Sequence, residues 1–178
     1  MREEVFASGR NVPSRLFSIL QSFLQTGEKI DELIVGVGPG SYSGIRIGLS
    51  AAIGLRLILG CQLHGICSAL GYPGDSYQVV LDARDQFTWI DVAGGQLLTE
   101  PVGIPREEFA TKRVSALSIY SPDLLVVIPM ERTWPSASLL GKRVLSEAPS
   151  WRRKPVPMYL KAPHITVSKK PLPGLQSL

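Results

Sequence analysis

A chain of 178 residues, 44% hydrophobic and 19% charged, has the composition of a soluble globular protein and the length for one substantial domain or two small lobes on a shared core. The net charge of +4 is uneven, because residues 148–178 carry six Lys or Arg and no acid while the remainder is slightly acidic. The apolar stretch over 45–59 is broken by Arg46 and Arg56, which reads as too short and too charged for a bilayer span; Met1-Arg2-Glu3-Glu4 precedes no secretion-type apolar run, so a cytoplasmic location is the default.

The first dozen residues contain no strand. Pro13 and Ser14 open a helix to about Gln25, with Leu16, Leu20, Phe23 and Leu24 at helical spacing, Ile19 widening the stripe and Gly27 ending it. Such a stripe suits a core or a partner equally.

Leu33 to Val37 is a short apolar run of the buried-strand kind. Gly36, Gly38, Pro39 and Gly40 stop regular structure, and Ser43 to Leu59 then reads as an apolar helix. A strand, glycine turn and helix start can bind phosphate, yet the known phosphate motifs fail on position. Gly44 is followed by Ile45 and Arg46 instead of Lys-Ser/Thr, and Ser43 stands where a dinucleotide fingerprint needs its third glycine. No acid occurs between Glu32 and Asp75 for a ribose, and Tyr42 occupies the nucleophile position of a hydrolase elbow.

Gln62 to Ile66 reads as a strand returning beside Leu33–Val37, a β-α-β crossover and a parallel pair. Cys61, His64 and Cys67 resemble part of a metal site, but strand alternation turns His64 away from the cysteines and no fourth ligand is near. Buried free thiols and no metal are expected. Gly71-Tyr-Pro-Gly74 breaks the chain and marks a lobe boundary, giving lobes over 1–75 and 76–147 and a basic tail over 148–178.

Tyr77–Asp82, Thr88–Val92 and Leu97–Thr99 read as a meander, Arg106–Ala110 as a short helix and Leu124–Ile128 as a buried strand. Ser136–Glu147 reads as a helix with Leu139, Leu140, Val144 and Leu145 on one face. The tail, with six prolines after residue 148, lies along something or is disordered. Asp82 and Arg84 share a strand face and suit ion pairing with turn groups better than catalysis, because no His or second acid accompanies them. Arg46 either bonds a partner carboxylate or stays in its own lobe.

The run Gly38-Pro39-Gly40-Ser41-Tyr42-Ser43-Gly44-Ile45-Arg46 resembles the signature of the bacterial TsaB (YeaZ) family. Asp82-Ala-Arg84 with its hairpin, and Tyr159-Leu-Lys161 followed by Lys169-Lys170, match that family in the same order. The resemblance implies an α/β, actin/Hsp70-like (RNase H-like) two-lobe fold, here with the first lobe lacking its opening strands. It also implies a non-catalytic, cofactor-free partner of the metal-bearing TsaD subunit in threonylcarbamoyladenosine modification of tRNA beside the anticodon. The two would form a heterodimer, with a TsaE-like ATPase as a further partner and a homodimer as the unpaired state. Pairing would run through the first two helices, at Leu16, Leu20, Phe23, Ile45, Arg46, Leu49, Ala52 and Ile53. Trp151 beside Arg152 and Arg153, and Tyr159 beside Lys161, suit either tRNA contact or a solvated basic tail. The alternatives are a metal-dependent glycoprotease-like enzyme, disfavoured because only His64 and His164 are available, and a protein-binding module or non-functional fragment.

Overall fold

The structure, a computed structural model, describes residues 3–6, 11–83, 86–109, 118–122, 130–146 and 152–160. The expected strand 124–128 and the residues Arg84, Trp151, Lys161, His164, Lys169 and Lys170 lie outside them.

Helix α1, Val12–Leu24, begins with proline in its first turn, where the missing N–H costs no helical bond. It starts two residues before the expected Ser14, and none of its residues is buried. Strand β1 (Glu32–Gly36), helix α2 (Tyr42–Leu59) and strand β2 (Gln62–Ile66) then form the expected crossover, with β1 and β2 parallel and Glu32 to Gly36 in register with Gln62 to Ile66. Ser41 caps α2 by accepting from the Gly44 N–H at 3.0 Å, and Gly60, at φ +66°, closes its other end in the left-handed region. Ile45 and Leu49 pack on Val35 and Val37. The far side of α2 is bare: Ile53, Leu57 and Ile58 are 44%, 78% and 81% exposed. At 18 residues, α2 is long and apolar enough by length and composition to cross a membrane, contrary to the sequence reading. Its two arginines are diluted by a helix that begins earlier, at Tyr42, than the stretch considered there. Its packed Ile45–Leu49 face is also what a core helix shows.

A 3-10 turn, Ser68–Gly71, leads into the second sheet. Its strands are β3 (Tyr77–Asp82), β4 (Gln86–Ala93), β5 (Gln96–Leu97), β6 (Val102–Pro105), β7 (Ile119–Ser121) and β8 (Glu131–Arg132), with α3 (Arg106–Phe109) between β6 and β7 and α4 (Ala137–Ser146) closing the lobe. The order is β5-β4-β3-β7-β8, with β6 also on β4; β3 and β4 are antiparallel, while β7 lies parallel to both β3 and β8. β5 covers 96–97 rather than 97–99. Strands β6, β7 and β8 were not foreseen, because a Val-Gly-Ile-Pro run, a three-residue run and a Glu-Arg pair carry almost no strand signal of their own.

Alternation along β3 feeds two cores. Tyr77 and Val79 join Ile66, Cys67, Leu70, Tyr72, Ile90 and Tyr120 on one face, whereas Val80 joins Phe87, Trp89, Ile104, Phe109 and Ile119 on the other. The first of these cores crosses the boundary placed at residue 75, so the lobes share buried surface. Tyr77 donates to the Ala69 carbonyl at 2.9 Å across that boundary, and burial pushes its hydroxyl up to about 12. Arg143 of α4 donates to the carbonyls of Leu70 (2.7 Å) and Gly74 (2.6 Å). Leu140 and Val144 pack on the core, but Leu145 is 82% exposed, off the face expected for it. Glu3 accepts from Ser136 Oγ and the Ser138 N–H at the start of α4, and these bonds hold its carboxyl below the ordinary range.

Residues 152–160 are part of the fold rather than of a free tail. Arg153 and Gly65 exchange backbone hydrogen bonds of 2.8 and 2.9 Å in an antiparallel bridge, and the Met158 N–H donates to the Val37 carbonyl at 2.7 Å. The segment thus closes the outer edge of β2. Its prolines suit that extended path.

Candidate functional site

The glycine turn between β1 and α2 is held from two sides. The Ser68 N–H donates to the Gly38 carbonyl at 2.8 Å and its Oγ accepts from the Gly38 N–H at 3.3 Å. Opposite, Met158 closes over the turn, so that a Cβ on Gly38 would lie 2.9 Å from the Met158 carbonyl oxygen and 2.9 Å from Ile45 Cδ1. Gly38 also sits at φ +109°, and the Gly38–Pro39 peptide is cis. The positive φ and the close contacts at the Cβ position both call for glycine. Ser41 supplies the cap, while Gly40, Ser43 and Gly44 are exposed.

Beyond the cap, two distant motifs meet. The Tyr42 ring stacks on that of Tyr159 with centroids 4.7 Å apart and planes 29° apart, and the Arg46 guanidinium lies 4.7 Å from the Tyr42 centroid. Such stacking and cation–π contacts each contribute about 1 kcal/mol. Arg46 thus lies against an aromatic face of its own lobe. The spacing from Tyr42 to Arg46, one helical turn, was readable; the arrival of Tyr159 was not.

The third motif lies on the second sheet. Asp82 Oδ1 accepts from Arg106 at 2.6 Å, and Arg106 also lies 4.5 Å from the Phe87 ring centroid. Arg106 is the pairing residue that the sequence reading missed, since nothing linked position 82 to a short helix twenty-four residues on.

Of the residues expected to meet a partner, Ile45 and Leu49 are buried against β1 and belong to the core. They sit four apart on the side that the β-α-β crossover turns inward. Leu16, Leu20, Phe23 and Ala52 are half-buried, and Ile53 is exposed. The exposed apolar surface is instead Phe17 and Leu24 on α1 with Ile53, Leu57 and Ile58 on α2. Ile53 and Leu57 repeat at helical spacing, but sequence could not say which side the core would take.

Several charged groups nearby pair within the chain. Arg153 makes a bidentate pair with Glu100 at 2.7 and 3.1 Å beside an open depression of about 400 Å³ bordered by Val37, Lys154 and Met158. Those hydrogen bonds hold the Glu100 carboxyl below its ordinary range. Glu32 lies 3.2 Å from His64 and 3.3 Å from Arg152. Cys61 and Cys67 are buried free thiols, and burial pushes Cys67 up to about 11, which leaves it protonated and unreactive at neutral pH. Among the described residues no group of three His, Cys, Asp or Glu side chains is placed to hold a metal ion.

This geometry has relatives among known structures. YeaZ from Pseudomonas aeruginosa superposes with a TM-score of 0.64 over 88% of each chain at 19% identity. The chain has a YeaZ-like fold. A second P. aeruginosa structure, described as similar to peptidase YeaZ, gives 0.61 over 83% of each chain at 20% identity. The fold is accordingly α/β and actin/Hsp70-like. The family model for TsaD, tRNA N6-adenosine threonylcarbamoyltransferase, matches residues 9–74, the α1-β1-α2-β2 unit with its glycine turn. An uncharacterized protein of Mycobacterium leprae is 27% identical over 92% of this chain, which spans 47% of that relative's length. An uncharacterized protein of Mycobacterium tuberculosis is 27% identical over 86% of the chain and 74% of its own length.

Proposed function

We propose that this YeaZ-like chain is the non-catalytic partner of a TsaD-like subunit in threonylcarbamoyl modification of the tRNA adenosine beside the anticodon, acting in the cytoplasm as half of a heterodimer. The observation that carries the reading is the bare apolar side of α2, at Ile53, Leu57 and Ile58, on a helix whose other side packs on β1 through Ile45 and Leu49. Apolar surface of that extent on a short helix favours burial against another protein. Phe17 and Leu24 of α1 are exposed as well. A TsaE-like ATPase would join the pair, and the chain's basic C-terminal residues would add contact with tRNA phosphates.

The competing reading is an enzyme, since the matching family model is that of a transferase. The composition argues for the accessory role, because two histidines in the whole sequence, His64 and His164, supply too few ligands for a His-based metal centre.

Co-expression with the host's TsaD-like subunit, size-exclusion chromatography and a tRNA threonylcarbamoylation assay test the proposal. A co-eluting pair that modifies tRNA is expected, and Leu57→Asp is expected to abolish co-elution while leaving the chain folded. Co-elution that survives Leu57→Asp would move the interface off α2. Modification by the chain alone would establish an enzyme instead.

A further inference from the structure

The segment over 152–160 has an ionic end and an apolar end. At the first, Arg153 sets its guanidinium across both Glu100 oxygens, and Arg152 lies 3.3 Å from Glu32. At the second, Met158 packs on the clusters beneath it and Tyr159 stacks on Tyr42. Between them an open depression of about 400 Å³ borders Val156 and Pro157, so the middle is not packed down.

Few backbone bonds fasten it. Among the described residues there are the pair exchanged by Arg153 and Gly65 and the one from the Met158 N–H to the Val37 carbonyl. Pro155 and Pro157 have no N–H to donate, and the Val156 N–H turns back to the Lys154 carbonyl of the same segment. The groove itself is fitted to a passing backbone. A Cβ on Gly65 would lie 2.8 Å from the Lys154 carbonyl oxygen, just as one on Gly38 would crowd that of Met158.

Arg152 and Arg153 thus have two competing uses. A guanidinium already forked onto a carboxylate cannot offer the same N–H groups to a phosphate. We propose, on the reading that the basic C-terminal residues meet tRNA, that residues 152–160 are a latch released by tRNA: phosphates take Arg152 and Arg153 from Glu32 and Glu100, and the segment leaves Gly65 and Val37. Both carboxylates are easily left behind, because Glu32 keeps His64 at 3.2 Å and Glu100 is largely exposed to water. Exposed ion pairs are individually weak, whereas each phosphate contact releases counterions from the nucleic acid. tRNA therefore binds the released segment better than the docked one, the differential affinity that a population shift requires. Release withdraws Met158 from the Gly38 turn and Tyr159 from the first turn of α2. RNA bound at the basic segment would in this way reach the helix proposed to meet the TsaD-like subunit.

The test is site-resolved amide exchange of the full chain with and without total tRNA, alongside a direct measurement of tRNA binding. With saturating tRNA the Gly65, Arg153 and Met158 amides are expected to exchange about tenfold faster, although a bound ligand ordinarily slows exchange. The Val37 amide, bonded to Ile66, and the Ser68 amide, bonded to Gly38, are expected to stay as they were. Glu100→Gln removes one competitor; it should speed the same three amides about threefold without tRNA and, by reciprocity, tighten tRNA binding by a similar factor. Bound tRNA that leaves those amides unchanged or slower would overturn the latch while the tRNA contact stands. Acceleration shared by Val37 and Ser68 would overturn it too, since the whole unit would then be loosening. So would strap amides that do not respond to Glu100→Gln. A chain that binds no tRNA even at low salt would overturn both the latch and the reading beneath it.

Discussion

The two sheets of this protein solve the same problem differently. The second, built on β3 and β4, buries side chains on both faces: Tyr77, Val79 and Ile90 on one, Val80, Phe87 and Trp89 on the other. The first has two parallel strands, a half-buried β1, and one helix whose far side remains apolar and bare. Hydrophobic burial therefore concentrates in the second sheet, while α2 of the first leaves apolar side chains exposed along one side. What links them is the chain between Ile66 and Tyr77, buried at Cys67, Leu70 and Tyr72, so the two sheets meet on a shared core.

If that division of labour holds, substitutions in the second sheet should cost fold and those on the first should cost partners. Trp89→Ala, which removes a side chain 2% exposed and packed edge-on against Phe109, is expected to destabilise by about 3–5 kcal/mol, read by urea denaturation. A loss below about 1 kcal/mol would mean that this core is not the stabilising one.

Gly38→Ala tests the hinge between the two behaviours. The methyl would meet the Met158 carbonyl and Ile45 at a positive φ, so a loss of more than about 1 kcal/mol is expected, together with faster exchange of the Met158 amide. Unchanged exchange would show that the turn and the C-terminal segment are not coupled.

Tyr159→Ala should cost less, about 0.5–1.5 kcal/mol, because only the stack on Tyr42 is lost. Its informative readout is proteolysis: cleavage within 152–160 should accelerate while the second sheet stays intact. Protection equal to wild type would assign the anchoring to the Arg153 and Met158 backbone bonds alone.

The smallest effect concerns pH. Arg153 lowers the Glu100 carboxyl from its ordinary 4.5, so the pair adds stability that is present above that value and lost as pH falls through the lower folded value. Glu100 is largely exposed, and the contribution is correspondingly small. The Tm difference between wild type and Arg153→Ala should accordingly narrow on acidification below 4.5. A difference constant with pH would assign the whole effect of Arg153 to its packing.

Much of the molecule was written in local sequence. The apolar run before Gly36, the Ser41 cap, the helix without proline and the return at Gln62 specify strand, turn, helix and strand because each depends on residues a few positions apart. The nine-residue signature from Gly38 to Arg46 pointed to the YeaZ-like fold for the same reason. Three things depended on residues far apart and so only tertiary structure decided them. Short β6, β7 and β8 exist because β4 and β3 offer them ladders, not because their own residues prefer extended chain. Ile45 and Leu49 became core while Leu57 and Ile58 stayed bare, since the crossover turns one side of α2 onto β1. Residues 152–160 joined the fold because Gly65, Val37 and Tyr42 present two backbone edges and an aromatic face to receive them, a destination that no property of the segment itself encodes.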